Sequence, residues 1–155
     1  RGTPLLLQLY LFVFVIPKIL PFVDQFNAVA LALSFNSAAY VSELFRSGIQ
    51  AVDKGQTEAA RSLGMNKTQT MLRVILPQAV KNILPAVGNE FVAIIKETSM
   101  ASTFFVGDLM TSYLKVRGAT YLALESLIII GVIYLVVTFT LSKLIGIYER
   151  RLNSK

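Results

Sequence analysis

The densest gathering of side chains able to do chemistry lies in the segment NILPAVGNEFVAIIKETSMAST, where Glu90, Lys96, Glu97, Thr98 and Ser99 interrupt a stretch of helical length. Ionisable groups in so apolar a setting are expensive unless they line a polar pathway or pair with one another. Glu90 and Glu97 stand seven residues apart and share a helical face, while Lys96 points partly aside. A site with both signs suits a zwitterion, which needs an acceptor for its ammonium and a donor for its carboxylate. The same residues also fit a plainer role, in which Lys96 and Glu97 mark the outer end of the helix and form structural pairs. Asn36 is a weaker candidate, since a lone Asn in an apolar helix often only bonds across to a neighbour. The sequence holds no Cys and no His, which removes disulfides, thiolate nucleophiles, imidazole bases and the commonest zinc ligands. No catalytic residue and no metal site is therefore expected.

The elements that would position these groups belong to a membrane. Hydrophobic residues make up 54% of the 155-residue chain and its mean hydropathy is +0.61, above an ordinary soluble domain. The first residue is Arg1 rather than Met, and "RGTP" resembles no processed leader, so a piece of a longer chain is expected. The net charge of +6 is dispersed between apolar stretches rather than gathered on one face, which argues against nucleic acid and for membrane orientation. Measured against the ~20 apolar residues needed to cross ~30 Å of hydrocarbon, candidate spans fall at 4–20, 26–45 and 121–147. Residues 82–103 make a fourth only if their charges face protein or water. Lys and Arg collect on cytoplasmic flanks. With the polar interruption at 48–81 inside, eleven of the fifteen basic residues are cytoplasmic, from Arg1 through Arg46, Lys54, Arg61, Lys67, Arg73 and Lys81 to Lys143, Arg150, Arg151 and Lys155. Lys18, Lys115 and Arg117 are then outside and Lys96 lies within a span, so both ends of an all-α, single-domain, polytopic bundle are expected inside.

Within the second span Ala30, Ser34, Ala38 and Ser42 recur every four residues, a small-residue stripe expected to pack against protein. Pro85 and Gly88 are expected to loosen or kink the fourth candidate and to free backbone carbonyls.

The interruption itself, GQTEAARSLGMNKTQTMLRVILPQA, has a specified shape. Ile49, Val52, Ala59 and Leu63 form an apolar stripe that Gly55 interrupts. A helix over TEAARSL can close at Gly64 in the left-handed conformation. Asn66 with Gln69 three residues on matches a capping box, and the second helix, about 67–76, presents Met71, Leu72, Ile75 and Leu76 on one side and stops before Pro77. A bland element of this kind would lie in the lipid interface; two caps and a glycine turn suit rigid docking to protein better. The sequon at Asn66 lies on the cytoplasmic side, where no glycan is expected.

At these residues the chain resembles the permease subunits of ATP-binding-cassette importers of type I. Their cytoplasmic signature is E-A-A, a glycine four residues after the last alanine, then an apolar residue and Pro; Glu58, Ala59, Ala60, Gly64, Ile75, Leu76 and Pro77 match it in order and spacing. The stretches RGTPLLLQL, ELFRSGIQAVDKGQTEAARSLGM, ILPQAV and KETSMAS resemble the polar amino acid branch, so the likeness covers essentially the whole chain. Glu97 and Met100 depart from the usual KDTSL with charge and volume nearly kept. The resemblance implies a coupling helix seated in a cleft of a cytoplasmic ATPase, with Glu58 as acidic contact, Ala59 and Ala60 permitting close approach, Gly64 making the turn and Pro77 closing the motif. Locally, Glu58 could instead pair with Arg61. It further implies one or more helices ahead of Arg1, an identical or sister permease, an extracytoplasmic amino-acid-binding protein docking near FFVGDLMTSYLKVRG, and a polar amino acid as substrate. No G-x-x-x-x-G-K-S/T phosphate loop is present, so no cofactor is expected on this chain and ATP is expected to be used by the partner subunit. Two other readings stand beside it: an importer of another small nutrient, which shares the E-A-A segment, and a non-transporting membrane scaffold or intramembrane enzyme.

Overall fold

The computed structural model describes residues 2–153, and the side chains up to Arg150; Arg1 and Lys155 of the basic set, and the side chain of Arg151, lie outside the described residues. The order is α1 (Leu5–Ile19), α2 (Gln25–Gln50), α3 (Lys54–Ser62), α4 (Lys67–Thr70), a π turn (Met71–Ile75), α5 (Leu76–Glu97), a 3-10 turn (Thr98–Phe104), α6 (Leu109–Thr120) and α7 (Ala123–Asn153). Among the described residues there is no strand, as an all-α bundle requires. Among the described residues two helices are long and apolar enough to cross a membrane, Gln25–Gln50 and Ala123–Arg150. α1 has only 15 residues, about 22 Å of rise, and α5 carries Lys81, Glu90, Lys96 and Glu97.

The helices begin where side chains satisfy their free N–H groups. Asp24 caps α2 by accepting from Asn27 N–H at 2.7 Å, and Asp108 caps α6 through Thr111 N–H at 2.7 Å. α2 is the central post: α1 packs on one side of it and α5 on another, with α7 laid against α5. The core joins Leu9 and Val13 of α1 to Ala28, Val29 and Ala32 of α2, closed by Ala101 and Phe104 of the 3-10 turn. The Tyr10 ring meets Phe104 edge-on at 4.9 Å, and Gln25 Nε2 donates to the Phe104 carbonyl at 2.8 Å.

The structure refines four local expectations. The stripe Ala30, Ser34, Ala38 and Ser42 does not carry the intrachain packing: Ser34, Ala38 and Ser42 are exposed, and the buried face of α2 runs through Ala28, Ala32 and Asn36. α5 runs on through Pro85 and Gly88 as one helix of 22 residues. A Cβ at Gly88 would lie 2.6 Å from Ile145 Cγ2, and one at Gly48 2.2 Å from Ile83 Cγ1, so these glycines exist for close helix approach. The stripe of Ile49, Val52, Ala59 and Leu63 is split by the end of α2, and Leu63 is 84% exposed. Finally, the helix beginning at Lys67 does not stop before Pro77. The π turn carries it through, with the Leu76 N–H donating to the Met71 carbonyl five residues back. That widened turn relieves the clash a proline ring makes with the carbonyl four residues earlier, and Pro77 becomes an opening residue of α5, where its missing N–H has no cost. The wider turn also breaks the expected apolar phase: Ile75 is buried, but Met71 and Leu72 face outward.

Candidate coupling segment and transport path

The E-A-A segment is α3. Asp53 caps it, its Oδ1 accepting from Gly55 N–H at 2.7 Å, and a Cβ at Gly55 would stand 2.8 Å from that oxygen. The glycine that interrupts the apolar stripe therefore leaves room for the cap. At the other end Gly64 has φ of +83° with open space around it, Gly64 N–H reaches the Arg61 carbonyl at 3.0 Å and Met65 N–H the Ala60 carbonyl at 3.2 Å. Asn66 and Gln69 then close a reciprocal capping box at 2.9 and 3.0 Å. Each turn in the segment is thus fixed by a named hydrogen bond.

What this rigid element presents divides the motif. Glu58 and Ala59 are exposed beside Leu63, whereas Ala60 is 4% exposed and packs within the segment. Small size at Ala60 serves the fold of the loop itself; small size at Ala59 leaves the outer surface free. Among the described residues no ion pair or hydrogen bond engages the Glu58 carboxylate, so the local pairing with Arg61 does not form. Gln78 Nε2 ties the segment to the base of α5 through Gln56 Oε1 at 3.4 Å, a link 22 residues long that no sequence pattern signals.

Of the residues expected near a transport path, Lys96, Glu97 and Ser99 line one depression of about 370 Å³ with Ala93 and Met100. The side chains of Lys96 and Glu97 enter no ion pair or hydrogen bond among the described residues. Glu90 lies two turns down the same helix, about 10 Å away along its axis, half-buried, with the Ser37 hydroxyl of α2 in hydrogen-bonding reach. Thr98 lines a different cavity, of about 380 Å³, together with Asp108. Its hydroxyl donates to the Ile95 carbonyl at 2.7 Å and that of Ser99 to Lys96 at 2.6 Å, so both are spent on their own helix. Asn36 is separate from all of these. It is buried between α1 and α2, where its Nδ2 donates to Gln8 Oε1 at 2.9 Å, and Gln8 in turn donates to Thr3 Oγ1 at 2.9 Å. Gln8 and Ser37 are partners that no sequence pattern marks, because each lies on a helix remote in sequence from the group it serves.

α4, the π turn and α5 form one uninterrupted helical rod over 67–97 with the Glu90 to Glu97 face toward its far end, and α3 is attached to its near end across the Gly64 turn and through the Gln78–Gln56 hydrogen bond.

The model of the binding-protein-dependent transport system inner membrane component family matches residues 1–154. The arginine transport system permease protein of Bacillus subtilis (strain 168) is 48% identical over 155 residues, covering 99% of this chain and 71% of that protein. The nopaline transport system permease protein of Agrobacterium fabrum (strain C58 / ATCC 33970) is 39% identical over 163 residues, covering 99% of this chain and 68% of that protein. The crystal structure of an amino acid ABC transporter with histidines matches with a TM-score of 0.92 and 49% identity, over 97% of this chain and 71% of that one.

Proposed function

Because the chain belongs to the family of binding-protein-dependent transport system inner membrane components, we propose that it is the membrane-spanning permease subunit of an ATP-binding-cassette importer for polar amino acids, with α3 as its coupling helix. The observation that carries this reading is the exposed, unpaired Glu58 surface of α3, which the Gly64 turn and the Gln78–Gln56 hydrogen bond attach to the rod over 67–97 that bears the ionisable face of α5. A cytoplasmic ATPase would seat α3 in a cleft, with Glu58 as acidic contact and Ala59 and Leu63 against its walls. ATP is consumed by that partner and this chain needs no cofactor. The basic residues flanking 48–81 support a cytoplasmic side for this segment and for the C-terminus.

In the path, Glu90 and Glu97 accept the ammonium groups of the substrate and Lys96 receives its carboxylate. Two carboxylates against one amine leave an excess of negative charge, which favours amino acids with a cationic side chain, and the arginine transport relative agrees in kind. The exposed stripe of Ser34, Ala38 and Ser42 offers a second permease subunit, identical or sister, a close approach in the bilayer. An amino-acid-binding protein would deliver substrate from outside, near 104–118.

The test is transport by the full complex in proteoliposomes with its ATPase and binding protein. Glu58→Lys is expected to weaken ATPase docking by about 2–5 kcal/mol, the range for losing one side of a close charge pair at an interface, while membrane insertion is unchanged. Unaltered ATP-driven uptake by that variant would remove the coupling role.

A further inference from the structure

The start of α7 and one face of α6 enclose a cavity of about 250 Å³ that transport does not use. Its floor, Tyr113, Ser126 and Ile130, is buried, and its walls, Val116, Ile129 and Ile133, are open to the surroundings. The two serine hydroxyls on its lining are already committed: Ser126 Oγ donates to the Leu122 carbonyl of its own chain, and Ser112 Oγ to the Asp108 carbonyl at 3.1 Å. A polar solute would lose its water there and find at most the Tyr113 phenol as partner; an aliphatic chain loses nothing.

The mouth has the opposite chemistry. Arg117, one turn beyond Tyr113 on α6, holds its guanidinium 5.7 Å from the centre of the Tyr113 ring. Among the described residues no carboxylate pairs with it. Tyr121, 89% exposed, stands at the junction of α6 and α7; such rings favour the head-group level. From Ala123 to Ile133 the rise along α7 is about 15 Å, half of the ~30 Å hydrocarbon layer. The cavity therefore lies within one leaflet, with Arg117 where head groups begin.

We propose that this groove is a binding site for an anionic phospholipid of the bilayer, one acyl chain lying against Tyr113, Ile130 and Ile133 and the phosphate held by Arg117. A planar guanidinium suits the bidentate geometry of a phosphate. The complex of permease and ATPase, reconstituted in nanodiscs of equal phosphatidylglycerol and phosphatidylcholine, tests this by native mass spectrometry of the lipid it retains. The wild type is expected to keep phosphatidylglycerol in preference. Arg117→Gln should lower that preference about fivefold, the effect of one basic residue at an anionic surface. Lys115→Gln, the same charge change off the cavity, should leave it intact, and Ile130→Trp, which fills the floor, should release both lipids. Equal losses from Arg117→Gln and Lys115→Gln would mean diffuse surface charge and overturn the site. So would unchanged lipid retention in Arg117→Gln with weaker stimulation of the ATPase by the binding protein, which would give Arg117 to that partner. A disulfide between copies carrying Ile129→Cys would give the groove to a second permease and likewise overturn the lipid site.

Discussion

Gly64 and Glu58 do opposite kinds of work within seven residues of each other. Glu58 is open to a partner, whereas Gly64 is needed for its backbone alone: φ is +83° and a Cβ would meet nothing within 4 Å. Gly64→Ala should therefore cost about 1–2 kcal/mol of loop stability through left-handed strain rather than through a clash. Hydrogen exchange at the Met65 amide, which bonds back to Ala60, would report it as faster exchange confined to 54–70. Protection unchanged at that amide would show that the turn is held by something other than glycine. The motif residues are legible in the sequence because each is needed for a local reason. The division between Ala59 and Ala60 is not, since which methyl faces inward depends on how α3 lies against the rod.

Among the elements, α2 and α5 are held closer than ordinary side chains allow. Gly48 of α2 approaches Ile83 of α5 so closely that an added Cβ would stand 2.2 Å from Ile83 Cγ1. Overpacking of this kind typically costs about 1–3 kcal/mol, so Gly48→Ala should lower the unfolding midpoint of the detergent-solubilised permease. Gly146→Ala on α7, where nothing lies within 4 Å, should leave the midpoint unchanged or raise it through better helix propensity. Equal behaviour of the two variants would mean that α2 and α5 are not in intimate contact. The last span at this scale follows from sequence: apolarity places it at 121–147, and α7 runs from Ala123 to Asn153. Continuation through Pro77 does not, because a proline normally reads as a stop, and only the π turn before it converts the stop into a joint.

For the molecule as a whole, the proposed transport path would set selectivity by the balance of charge along α5. Removing one carboxylate while keeping its shape, Glu97→Gln, should reduce uptake of labelled arginine more than that of labelled glutamine, because only the former brings a second positive group. Loss of both to the same extent would assign Glu97 to general binding or to folding. The same scale explains the partition of the sequence candidates. Lys96, Glu97 and Ser99 come together in one depression, Thr98 faces another cavity, and Asn36 is fastened to Gln8. Adjacent residues on a helix point about 100° apart, so neighbours in sequence part company as soon as the helix acquires neighbours in space.

By itself the sequence determined that the chain is helical, belongs in a membrane and carries an E-A-A segment with its caps and turn, because apolar periodicity, helix signals and a short motif are all local. Only the tertiary structure decided that the segment is tied through Gln78 to the rod that bears the ionisable face, that Gly48 and Gly88 are points of contact rather than weakness, and that an apolar groove opens beneath Arg117. Each of these depends on which remote side chain arrives opposite, and packing alone sets that.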